Sequence, residues 1–72
     1  MEDTQIPNEI KVIILNEEIA RCDHTIYLLA TRAKVYSTVF SRDDKRVADT
    51  LNELEEITQV RDGFIKERQS LQ

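Results

Sequence analysis

The stretch Val12–Phe40, VIILNEEIARCDHTIYLLATRAKVYSTVF, decides how this chain folds. Its apolar residues advance by alternating steps of three and four: Val12, Leu15, Ile19, Cys22, Ile26, Leu29, Ala33, Tyr36 and Phe40. Every position on that beat is apolar. A strand would alternate every second residue, whereas a mean step of 3.5 marks a long helix packed along another helix. β-Branched residues are frequent here and lower intrinsic helix propensity, but the period outweighs them.

Upstream, Pro7 suits the first turn of a helix, where its missing N–H is harmless, and Asn8 is an alternative cap. No Gly or Pro interrupts the chain from there to Phe40, so the first helix is expected over about 8–40. At 1.5 Å per residue it would span roughly 50 Å. Residues 1–6 read as a flexible polar arm and residues 7–72 as the helical unit.

Downstream, Ser41-Arg42-Asp43-Asp44 breaks the pattern. Ser41 with Asp44 three residues on is close to a capping box, and acidic residues suit the positive end of a helix dipole. A second helix is therefore expected over about 43–70. The break holds no Gly, so a tight reversal would ask Ser41 or an Asp to take an unusual backbone angle, and one continuous helix is the alternative. The second stripe is Val47, Leu51, Leu54, Ile57, then Phe64 or Ile65, and Leu71, with Thr58 and Arg61 on or near it. Gly63 lies inside this pattern, either as a tolerated weak spot or as a point of close approach to a neighbouring helix.

The fold class that follows is all-α: an antiparallel two-helix hairpin, coiled-coil-like, dimerising into a four-helix bundle. The dimer is expected because α-helical residues 8–40 carry more apolar side chains than one seam can use. Ile10, Ile13, Ile14, Tyr27, Leu28 and Val35 lie off the seam, mostly on the opposite side at 100° per residue. They form the candidate interface. A chain of 72 residues buries little core by itself, and one cysteine, Cys22, cannot staple it internally. A second copy is the natural covering, and another protein is the other possible partner.

Composition narrows the function classes. The net charge is −4, with residues 8–40 neutral, so bulk attraction to nucleic acid is not expected. A local basic cluster, Arg42, Lys45 and Arg46, keeps an RNA- or DNA-associated regulator as an alternative, since some acidic helical hairpins bind RNA as dimers through such a face. Stacking aromatics are scarce for that role. Glu17, Glu18, His24, Glu53, Glu55 and Glu56 invite a metal reading, with a metal-dependent all-α nucleotide hydrolase as a remote alternative. However, no Glu-x-x-His pair occurs, and adjacent glutamates do not face one site. Cys22 falls on the seam and reads as a small packing residue, with no basic cluster to activate it. Arg61 and Arg68 are expected to lay their stems along the seam and to pair with Glu17, Glu18 or Asp23.

No set of acid, base and nucleophile has usable spacing, and no cofactor or metal motif is present. The chain is therefore expected to be a non-enzymatic interaction module: a regulator, inhibitor, adaptor or assembly factor. With no apolar run of the length a bilayer needs and a lone thiol, it is expected to be soluble and cytoplasmic, without membrane contact.

Overall fold

The computed structural model describes residues 6–72. The expected arm, up to residue 5, lies outside the described residues. Two helices, α1 (Asn8–Val39) and α2 (Lys45–Ser70), run antiparallel and pack along their whole length as a hairpin of about 52 × 18 × 16 Å. Neither helix is long and apolar enough to cross a membrane.

The α1 seam is the one the heptad beat marks as far as Tyr36; Phe40, the last expected position, lies just beyond α1 and is exposed. Ile19, Cys22, Leu29 and Ala33 are buried, and Val12, Leu15, Ile26 and Tyr36 are half-buried. Pro7 stands just outside α1 at the cap position. Its carbonyl accepts from the N–H groups of Ile10 and Lys11, each at 3.1 Å.

The α2 seam follows the same beat with one substitution of partner. Val47, Thr50, Leu54, Ile57, Arg61, Phe64, Arg68 and Leu71 turn toward α1, with Val47 and Thr50 buried. Leu51, expected in the stripe, points outward at 49% exposure. Both are one helical turn from Val47, and only Thr50 keeps phase with Leu54, Ile57, Phe64 and Leu71. The Thr50 hydroxyl donates to the Arg46 carbonyl at 2.7 Å, so its burial strands no polar group. Arg61 and Arg68 reach across the seam: Arg61 Nε pairs with Asp23, and Arg68 donates to Asn16 Oδ1 at 2.8 Å. Asp23 was one of three expected partners. Glu18 instead pairs with Arg21 in its own helix.

The connection resolves the choice between hairpin and single helix. Phe40 leaves the helix with φ −100° and ψ −135° and still donates its N–H to the Tyr36 carbonyl at 2.8 Å. Ser41 opens a turn, its carbonyl accepting from Asp44 N–H at 2.9 Å and its hydroxyl from Asp43 N–H at 3.2 Å. Among the described residues none has positive φ. Five connecting residues, 40–44, therefore reverse the chain without a glycine. The cap of α2 is Asp44, not Ser41, so α2 begins two residues later than expected.

Asp44 does several things at once. Its carboxylate accepts from Arg46 N–H and from the Arg46 guanidinium through both oxygens, each bond at 2.9 Å. The Arg46 side chain and backbone hydrogen bonds hold the Asp44 carboxyl at a pKa of about 2. The same guanidinium lies 3.5 Å over the Phe40 ring, which meets Tyr36 edge-on at 5.5 Å. One cluster thus ties the end of α1, the turn and the start of α2 together.

Candidate interaction surface

A two-helix hairpin encloses no volume. Among the described residues five apolar side chains are buried, and no large one is completely so. Side chains beyond the single seam have only solvent to face.

Ile10, Ile13, Ile14, Tyr27, Leu28 and Val35 are all exposed, Tyr27 most of all at 74%. Spacing divides them. Ile14, Leu28 and Val35 repeat on multiples of seven and share one line along α1. Ile13 and Tyr27, fourteen apart, share a second line about 100° round the helix, toward the side of Asn16 and Asp23. Val39 and Val60, which the heptad reading passed over, and Phe40 and Leu51, which it placed on the seams, add exposed apolar surface. Val60 had a signal: it is apolar, off-seam, and three residues beyond Ile57.

Two grooves open between the helices. The larger, about 440 Å³, is floored by Leu28, Leu29, Ile57 and Val60 and rimmed by Thr25, Arg32, Glu53 and Glu56. The smaller, about 210 Å³, lies at the open end between Ile6, Ile14, Leu15 and Leu71, with Lys11 and Glu67 beside it. Lys11, Thr25 and Arg32 recur on sevens along α1, and Glu53, Val60 and Glu67 on sevens along α2. Both grooves therefore open on one flank. The opposite flank carries the Asp23–Arg61 and Asn16–Arg68 contacts.

The groove flank is electrically divided. Arg32 stands on the α1 wall, and Glu53 and Glu56 stand on the α2 wall. Among the described residues these three form no ion pair. Gly63, seven residues from Glu56, belongs to the same line of α2. A β-carbon built there meets nothing within 4 Å. Within the chain it makes no close helix approach.

The other sequence candidates disperse. Lys45 pairs with Asp49 at 2.8 Å, which raises its pKa, and Arg46 is taken up by Asp44 and Phe40. Of the basic cluster, Arg42 alone points outward without an ion pair among the described residues. Glu17, His24, Glu53, Glu55 and Glu56 are exposed, and no three metal-ligating side chains converge among the described residues. Cys22 is a buried free thiol. Compared with protein-family models, curated proteins and solved structures, the chain matches none.

Proposed function

We propose that the chain is a non-enzymatic protein–protein interaction module that associates with itself, two hairpins joining as a four-helix bundle. One observation carries the reading: six apolar side chains of α1 outside its seam stay exposed, and among the described residues no large side chain is fully buried. Full burial of such a side chain is worth about 1.5–3 kcal/mol, and most of these start about half exposed, so several per chain covered together offset the cost of association. The engagement of Lys45 and Arg46 within their own turn sets a nucleic-acid role second. A free, buried Cys22 suits a reducing, cytoplasmic setting.

Light scattering across a dilution series, with far-UV circular dichroism on the same samples, tests the reading. A helical species of twice the chain mass is expected. Leu28→Asp should give helical monomer, whereas Leu29→Asp, on the seam, should unfold the hairpin. A helical monomer for the unaltered chain at every concentration rejects self-association.

A further inference from the structure

The exposed apolar surface does not by itself say how a second copy would sit, but the charges and heights along the hairpin do. We infer that two chains associate through the groove flank about a two-fold axis parallel to the helices, with both turns at the same end and α1 of each chain lying on α2 of its partner. This rests on the self-association proposed above and gives it a face, a direction and a set of ion pairs.

The Asp23–Arg61 and Asn16–Arg68 contacts fix the internal register, so Arg32 stands level with Glu53 and Glu56 across the larger groove. Only two simple two-fold arrangements lay one groove flank on another. An axis running across the hairpin reverses the partner end for end. It stacks α1 on α1 and α2 on α2, and brings the Glu53 and Glu56 carboxylates of two α2 helices toward each other near mid-length. An axis along the hairpin keeps every residue at its own height and exchanges left for right. It brings Arg32 of each chain over Glu53 and Glu56 of the other, twice per dimer. It also seats Leu28 over the apolar floor at Ile57 and Val60. Like charges facing across an interface select against the first arrangement and opposite charges favour the second. Neighbouring helices are antiparallel in both arrangements, so helix dipoles do not separate them and the facing charges decide.

The area agrees. The chain exposes 5600 Å², on the order of 1,000 Å² above the ~4,600 Å² of a compact monomer of 8.4 kDa. An interface of ordinary size removes ~800 Å² from each partner. A hairpin face 52 Å by 18 Å supplies that area without help from the other flank. Gly63 lies on the line of Glu56, under the path of the partner's α1, where its lack of a side chain leaves room for the approach.

Charge reversal tests the pairing. Chains carrying Arg32→Glu, and chains carrying Glu53→Lys with Glu56→Lys, should each dimerise at least about tenfold more weakly than the unaltered chain while staying helical. Mixed in equal amounts they should form a heterodimer, because every reversed pair is then complementary. A spin label at Arg42→Cys, on an otherwise unaltered chain, reads direction separately. Turns at one end place two labels within about 20 Å, two interhelical spacings. Turns at opposite ends separate them by nearly the 52 Å length of the hairpin. A dimer with widely separated labels, or one indifferent to both reversals, overturns this arrangement and leaves self-association standing. A chain that is monomeric throughout overturns both.

Discussion

The Arg61 guanidinium crosses from α2 to the Asp23 carboxylate on α1, 38 residues away in sequence, and marks where the two helices stand relative to each other. Both side chains keep substantial contact with water, so the pair contributes alignment more than stability. Asp23→Asn should cost less than about 1 kcal/mol in a urea melt. Arg61→Leu completes the apolar run from Leu54 through Ile57 to Phe64 and should leave stability unchanged or raised. A clear loss on Arg61→Leu would assign the guanidinium a larger share than its exposure allows.

Acid should loosen the turn before it unfolds the seam. The Asp44 carboxyl titrates near 2 in the folded hairpin, against 3.8 in the unfolded chain, because Arg46 holds the charged form. A depressed folded pKa means that the stabilisation is complete above about pH 4 and is lost as the pH falls toward 2. Thermal melts of the parent chain and of Asp44→Asn, which keeps a capping side chain but no charge, should differ by a few degrees at pH 6. The difference should shrink to a small fraction by pH 2, where half of the folded carboxyls are protonated. A gap that does not change with pH would remove the charge from the explanation.

Gly63 is a weak point that the isolated hairpin does not need. It lies within α2, and a β-carbon there meets open space. Gly63→Ala should raise stability by about 0.5–1 kcal/mol through helix propensity and reduced freedom of the unfolded chain. Gly63→Leu separates two roles: it should keep the hairpin helical and weaken dimerisation. Undiminished dimerisation would show that nothing approaches this position closely.

The seam itself has a steeper response. Leu29 is 6% exposed and touches the middle of the hairpin. Leu29→Ala should cost about 2–5 kcal/mol, a large part of what so small a fold possesses. Thr50→Val removes a hydroxyl whose only partner is a carbonyl within its own helix, so it should be neutral or stabilising. Both are read from denaturant midpoints at one fixed protein concentration, since association shifts apparent stability.

How much of this was legible in the sequence follows from where polar residues fall. On α1 the apolar beat is unbroken, and the seam could be named residue by residue from Val12 to Tyr36; Phe40 keeps the beat but falls where the helix has already ended. On α2 three seam positions are Thr50, Arg61 and Arg68, so apolar periodicity loses its phase. Leu51 then looked the better choice because composition favours it, although the heptad set by Leu54, Ile57, Phe64 and Leu71 demands Thr50. The turn was legible as a break but not in its geometry. Ser41 and Asp44 are both good caps, and only the backbone bond from Asp44 to Ser41 shows that one opens the turn and the other starts the helix. Of the surface, the exposed apolar residues of α1 could be read directly. The division of that surface into two flanks could not, because it depends on the register that Asp23 and Arg61 set, and contacts so distant in sequence leave no periodic trace.

The glycine-free turn also sets the order in which the molecule closes. The cluster of Tyr36, Phe40, Asp44 and Arg46 joins residues close in sequence, so forming it closes only a short loop at small entropic cost. Each further seam contact, from Ala33 and Val47 outward, lengthens the closed loop by one turn of each helix. The hairpin is then a zipper with its slider at residues 40–44. Amide protons near the turn should exchange with solvent slowest, and those near Asn8 and Leu71 fastest, along a gradient rather than as a single block. Proteolytic trimming would run down the same gradient, shortening the hairpin from its open end while the turn holds.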